Sequence, residues 1–261
     1  MVFGSTSQDS LNARRITESR ESYWQSLFND YAAQYEKDHC ISGWSLQGLE
    51  ARKKLYLDIF STLSIDKTAP ILDLGCGSGV YSRLLHAGGY NAVGMDYAFN
   101  ALIQAKKRDG LGDAAYLGGD LYFLPFKDCS FKHVLCIGVF QSLTRPHSAL
   151  AEIRRIMAPG ASLVLITLNS LQIRHLFSRV MSQSDYILVD QHKVARLAAY
   201  NPFQFKRELE AGGFRVIDQK PVQVLPDSSP SMSKLLAALQ RMPCVAYLTA
   251  VSFMVTAIKQ D

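Results

Sequence analysis

A short apolar run, Ile71–Leu74, feeds directly into Gly75-Cys76-Gly77-Ser78-Gly79 and then into Val80–Ala87, which has helical periodicity. A strand that turns through a glycine-rich loop into a helix is the opening of a parallel-sheet unit. Such loops are where open α/β sheets receive a ligand at the carboxyl ends of their strands. Glycine lets the backbone take positive φ there and lets a ligand approach with no Cβ in the way. From residue 70 onward the alternation is regular. Strands are predicted over residues 71–74, 91–96, 114–117, 131–139 and 162–167. Helices fall over 80–87, 98–107 and 148–157, each closed by a glycine pair or by an Asp-Gly or Pro-Gly turn. That rhythm argues a parallel sheet covered on both faces.

After residue 167 the pattern loosens. Helices are predicted over 171–181, 202–211 and 231–241, the last with a leucine stripe at 235, 236 and 239, and strands over 214–219 and 244–259. Upstream, Trp24, Leu27, Phe28, Tyr31 and Tyr35 recur at three- and four-residue steps, the spacing of a packed helix. The expected organisation is an arm and helical cover over residues 1–60, then one domain over 61–261 with helical inserts at about 168–200 and 225–245. A chain of 261 residues with 48% hydrophobic and 20% charged residues has the means to bury a core without disulfide or metal. Its five cysteines are scattered with no C-x-x-C pair and suit reduced thiols in a cytoplasmic protein, with no metal site expected. The net charge of +5 comes without a dense Lys/Arg tract, which argues against a nucleic-acid partner. The apolar run at 244–258 is shorter than the ~20 residues of a membrane span. Peripheral membrane contact and oligomeric state stay open.

Spacing within the loop narrows the ligand. The dinucleotide fingerprint is G-x-G-x-x-G, whereas this chain reads G-x-G-x-G with Val80 in the third glycine's place, and no Gly-Lys-Ser/Thr follows to make a P-loop. Asp73 precedes the loop; an acid there repels pyrophosphate but can pair with the ammonium of a methionine-like moiety. Asp96 ends the second strand, where a carboxylate can accept both hydroxyls of a ribose. Asp120 closes the third, beside the apolar Leu121, where it can accept from an adenine amino group.

With those residues in register, the chain resembles a class I S-adenosylmethionine-dependent methyltransferase, of the broad group that includes ubiquinone-pathway and cyclopropane-fatty-acid enzymes. ILDLGCGSG resembles the family's first motif and VGMD (93–96) its ribose-binding acid. GGDLYFLPFKDCSFKHV (118–134) is similar to its adenine-side segment and fourth strand, MAPGASLVLIT (157–167) to its fifth-strand entry, and NPFQFKRELEAGGFRVI (201–217) to its late helix and strand. The resemblance implies a Rossmann-like α/β fold with a seven-stranded, mostly parallel sheet whose last strand is antiparallel. It implies S-adenosyl-L-methionine bound by Asp73, Gly75, Cys76, Gly77, Gly79, Asp96, Tyr97, Asp120, Leu121, Ile137 and Gly138. FNDYAAQYEKD (28–38) resembles the upstream helix whose tyrosine covers the cofactor, a role that falls to Tyr35.

The resemblance also departs from the family at two places. Lys132 stands where an acid is usual, and Gln141-Ser142 where many relatives have histidine or glutamate. The catalytic candidates are therefore His39, as a base in the helical cover, and Gln141, orienting substrate by hydrogen bonds. His86 reads as surface, His133 as structural, and His175 and His192 as insert residues. Aromatic residues in the inserts favour a small apolar metabolite, quinone or lipid-linked acceptor. The alternative is a protein that binds the sulfonium without methylating, or uses it for another reaction such as cyclisation.

Overall fold

The computed structural model describes residues 20–110, 115–173, 186–189, 192–195, 197–222 and 242–261. Most of the expected helix over 171–181, the whole of that over 231–241, and His175 and Phe177 lie outside the described residues. Among the described residues three helices precede the first strand: α1 (Arg20–Gln34), the short α2 (Asp38–Ile41) and α3 (Leu46–Phe60). The alternating part follows as β1 (Ile71–Leu74), α4 (Val80–Ala87), β2 (Ala92–Asp96), α5 (Phe99–Asp109), β3 (Tyr116–Gly118), β4 (Phe131–Ile137), α6 (Pro146–Ile156) and β5 (Met157–Leu168). A two-stranded ladder, β6 (Tyr186–Val189) against β7 (His192–Ala195), occupies part of the stretch expected to be a helical insert. Then come α7 (Pro202–Ala211), β8 (Phe214–Val222), α8 (Pro243–Thr249) and β9 (Ser252–Lys259). No helix among the described residues is long and apolar enough to cross a membrane.

Seven strands form one sheet in the order β3-β2-β1-β4-β5-β9-β8. Strands β1 to β5 pair in parallel and β9 is antiparallel to both neighbours, β5 and β8, as the resemblance implied. The expected strand over 244–259 is shorter: its first half folds as α8, which starts at a helix-compatible Pro243, and the β-branched half alone joins the sheet.

Because side chains alternate along a strand, the central strands divide their apolar residues between two cores. Leu72, Leu74, Val134, Cys136, Leu163, Leu165, Phe253 and Val255 face α6 and α7, packing with Ile153, Phe205 and Leu209. Ile71, Leu135, Val164, Ile166 and Met254 face α3 and α4, packing with Tyr56, Ile59, Tyr81 and Leu85. His133 is fully buried in the strand. Its Nδ1 lies 2.7 Å from Ser162 Oγ and its Nε2 3.4 Å from Tyr56 Oη, and burial pushes its pKa down to about 3, so it is a neutral core residue. His86, expected at the surface, is instead tucked between Asp109 Oδ2 and the Ala92 carbonyl, at 2.5 and 2.8 Å.

The carboxyl end of β5 is tied to the last strand by one side chain. The fully buried Asn169 donates to the carbonyls of Tyr247 and Ala250 (2.6 and 2.9 Å) and accepts from the Leu171 amide (3.0 Å). Asn169→Ala leaves two carbonyls and an N–H without their partner. The expected cost is about 2–4 kcal/mol, read as a lower urea midpoint at unchanged m-value.

Candidate functional site

The register of the sheet brings the functional residues to one edge. Leu74 lies opposite Met95 on one side and Cys136 on the other, so the next residues, Gly75, Asp96 and Ile137, leave their strands side by side. The loop then turns through three positive φ values, at Gly75, Gly77 and Gly79 (70°, 52° and 78°). At Gly77 a Cβ would meet no atom within 4 Å, so the loop presents bare backbone to open space. The amides of Gly75 and Cys76 both donate to the Met95 carbonyl, and the Gly77 amide donates to Asp96 Oδ2 at 2.8 Å. Asp96 Oδ1 accepts from the Ala98 amide at 2.7 Å. One carboxylate thus fixes both the loop after β1 and the turn after β2. Burial pushes its pKa up, opposed by those backbone donors.

A cavity of about 750 Å³ opens above this edge. It is lined by Gly75, Cys76, Gly77 and Ser78, by Asp96 and Tyr97, by Asp120, Leu121 and Tyr122, and by Ile137 and Gly138. Asp120 Oδ1 accepts from the Tyr122 amide at 2.9 Å, which orients its turn. The Cys76 thiol is pushed well up by burial and stays a neutral small side chain.

The roof comes from the N-terminal helices and is fastened by charges. Glu21 Oε1 accepts from the Tyr122 hydroxyl (2.6 Å), the Thr144 amide (2.7 Å) and the Thr144 hydroxyl. Partial burial raises the Glu21 pKa, but the hydrogen bonds from Thr144 and Tyr122 outweigh it and hold the group below its ordinary range. The Arg145 guanidinium lies over the Tyr122 ring, 4.2 Å from its centroid. Gln25 Nε2 donates to the Tyr97 carbonyl at 2.8 Å. At the other end Asp38 accepts from Ser78 Oγ (2.8 Å), from Arg83 (2.7 Å) and from Arg108, pinning α2 to the glycine loop.

A second cavity of about 360 Å³ adjoins the first and shares Phe28, Ser42, Trp44, Gly138 and Ser142 with it. Tyr35, His39 and Gln141 line this second space and not the first. Tyr35 thus faces the second cavity and not the one above the glycine loop. It follows α1 with its amide bonded to the Tyr31 carbonyl and its ring edge-on to Tyr31, four residues back on the same face. Phe28, Gln25 and Glu21 provide the cover. Asp73 also lies elsewhere: fully buried behind the loop, its Oδ2 accepts from the Ser82 amide and hydroxyl at 3.0 and 2.6 Å. It holds the first turn of α4 and does not line the cavity. Gly79, likewise, is the N-cap of α4 outside the cavity lining. His192 begins β7.

A family model described as a methyltransferase domain matches residues 72–165, from β1 to β5. A candidate methyltransferase of Encephalitozoon cuniculi is 32% identical over 157 residues, which cover 57% of this chain and 71% of that protein. This chain belongs to the class I S-adenosylmethionine-dependent methyltransferase family. A demethylmenaquinone methyltransferase of Renibacterium salmoninarum is 26% identical over 59% of this chain and 62% of that protein's length. The fold also matches a candidate methyltransferase solved in complex with the Haloferax volcanii Trm112 methyltransferase activator. The TM-score there is 0.63 at 19% identity, over 90% of this chain and 98% of that one.

Within this methyltransferase-family site, sequence reasoning missed Glu21, Asp38, Tyr122, Thr144 and Arg145. Their partners lie up to 123 residues away, so no local spacing announces them. Two predictions follow from the charges. Glu21→Gln exchanges a charge-assisted clasp for neutral hydrogen bonds and weakens it by about 1–2 kcal/mol. Amide exchange in α1 is expected to accelerate roughly five- to thirtyfold, by that estimate, with β4 and β5 unchanged. Burial pushes the Asp73 carboxyl up to about 7 from an ordinary 3.8, against the Ser82 hydrogen bonds that lower it. Between those pH values the folded chain holds a proton that the unfolded chain has released, so this group's contribution falls as pH rises from about 4 to about 7. Asp73→Asn keeps the acceptor oxygen and removes the titration. Its stability relative to the parent is expected to climb through that window in denaturation curves at several pH values.

Proposed function

We propose that this protein transfers a methyl group from S-adenosyl-L-methionine to a small-molecule acceptor. The observation that carries this reading is the succession of the glycine loop, Asp96 and Asp120 along one wall of a single cavity at the strand ends. Family membership supports the same donor. The cavity volume falls within the ~300–1,000 Å³ of small-molecule sites. Its residues suit the donor's parts: bare loop backbone for the amino-acid end, the Asp96 carboxylate for ribose hydroxyls, and Asp120 with Leu121 for the base. When bound, the sulfonium supplies a methyl carbon open to in-line displacement.

The chain's own contribution is placement and exclusion of water, which can be worth several kcal/mol. Gly138, just after β4, lines both cavities, and donor and acceptor would meet beside it. The roof of Glu21, Gln25 and Phe28 closes the donor side. A small apolar, quinone-like or lipid-linked acceptor is the favoured class. It is supported by the aromatic walls of the second cavity and by the relative named as a demethylmenaquinone methyltransferase.

Calorimetry with S-adenosylhomocysteine tests the donor. Binding is expected, with Asp96→Ala weakening it at least tenfold while circular dichroism shows the fold intact. Unchanged affinity in Asp96→Ala, or binding of a nicotinamide dinucleotide in its place, overturns the donor assignment. With methyl-labelled donor, label is expected in the acceptor; methylthioadenosine as the product overturns methyl transfer.

A further inference from the structure

The first cavity has an uneven balance of charge. Among the described residues that line it, Glu21, Asp96 and Asp120 carry carboxylates and Arg145 alone is basic. Exposure weights these groups unequally. Asp96 is 7% exposed and Glu21 is half-buried, whereas Asp120 and Arg145 are exposed. Water screens the exposed groups most, so the sheltered acids dominate the field inside and make it negative.

Glu21 stands apart from the other two acids. Asp96 ends β2 and Asp120 lies in the turn after β3, while Glu21 is brought to the cavity by α1, from the roof. Its three partners, the Tyr122 hydroxyl, the Thr144 amide and the Thr144 hydroxyl, all fall on one oxygen, Oε1. A phenol, an amide and an alcohol are neutral donors. They fix the carboxylate in place without cancelling its charge. Burial opposes ionisation, but these hydrogen bonds outweigh it and hold the group below its ordinary range, so it stays charged at neutral pH.

The donor's chemistry gives that charge something to act on. Methyl transfer breaks the methyl–sulfur bond, the sulfur keeps the bonding pair, and the acceptor atom forms the new bond with a pair of its own. A sulfonium cation enters and a neutral thioether remains, with the same ammonium and carboxylate in both. Hydrogen bonds to the shared amino-acid, ribose and base parts hold the two ligands alike. A fixed negative charge does not.

We infer that Glu21 is the residue by which this cavity tells donor from spent product: its carboxylate, delivered by the roof, favours the cationic sulfonium over the neutral thioether. The inference rests on the S-adenosylmethionine reading above and adds to it a specificity residue outside the glycine loop and the strand ends. From its volume of about 750 Å³ the cavity is roughly 9 Å across, comparable with the ~8–10 Å screening length of physiological solutions. The charge therefore acts without touching the sulfur. For a half-buried carboxylate over such a span the preference is about three- to tenfold. Clasp and charge are one group: the roof closes on either ligand, but only the donor answers the charge.

The test is a ratio of affinities. S-adenosylmethionine and S-adenosylhomocysteine are titrated by calorimetry into full-length protein without acceptor, and any general weakening of the roof cancels between them. Glu21→Gln is expected to shift the ratio about three- to tenfold toward the product. Thr144→Val removes a hydroxyl from the clasp and keeps the carboxylate; it is expected to move both affinities together and leave the ratio within twofold. Sinefungin, whose amine-bearing carbon replaces the sulfonium, separates charge from the methyl group and is expected to follow the donor in both variants. A parent-like ratio in Glu21→Gln overturns the inference, as does an equal shift in Thr144→Val, which assigns the effect to roof geometry. Sinefungin losing no more than S-adenosylhomocysteine in Glu21→Gln overturns it too. Failure of the parent protein to bind either ligand overturns the donor reading, and this inference with it.

Discussion

Two carboxylates from neighbouring strands hold the glycine loop and the helix turn that follows it, and the shape of the first cavity depends on that hold. Asp96, in front, accepts from the Gly77 amide and from the Ala98 amide. Asp73, behind, accepts from the amide and hydroxyl of Ser82 and so holds the first turn of α4. A loop with three positive φ values has little conformational preference of its own, since glycine loses more freedom on folding than any other residue. The acids supply the missing preference. Both are buried, and Asp96 adds to the cost of ionising Asp73, so the arrangement depends on the backbone and hydroxyl donors that surround them.

The roof obeys different physics. Apart from a small apolar contact among Ala32, Ile41, Ala98 and Ala101, α1 and α2 are attached to the sheet domain through polar groups: Glu21 to Thr144 and Tyr122, Gln25 to Tyr97, Asp38 to Ser78, Arg83 and Arg108. These contacts are partly buried, with the Asp38, Arg83 and Arg108 side chains 21–27% exposed, whereas the two apolar cores are closed to water. Apolar packing thus holds the sheet domain together, and polar contacts add to the apolar one in fastening the roof to it.

That division also explains what could be read from the chain alone. The β-α alternation, the glycine spacing and the acids at strand ends are local patterns, and they placed β1 to β5 and put Asp96 and Asp120 at strand ends; the antiparallel last strand came from the family resemblance. Strand-end position does not say which way the Asp73 carboxylate turns; Ser82, nine residues on, captures it. Tyr35 is a related case. Helical periodicity put it on the face of Tyr31, but which cavity that face meets depends on how α1 docks, and docking is decided by Glu21 and its distant partners. Residues 244–251 read as strand because the apolar run continues unbroken into β9; a proline at position 243 starts a helix there instead. That Trp24 Nε1 and Gln141 Oε1 are buried without a partner among the described residues leaves no trace in sequence at all, since burial without a partner is a property of the packed chain.

The position of β9 between β5 and β8 has a consequence for how the chain reaches this state. In sheet order β8 is an edge strand whose one neighbour is β9, yet β8 comes earlier in the chain. While β9 is still missing, β8 has nothing in the sheet to pair with, and β5 exposes its outer edge along the full length of Ser162 to Leu168. During synthesis the five parallel strands can assemble while their open flank waits for the final segment. Closing that flank is a long-range pairing event, entropically slow and exposed to mispairing with other chains until it completes.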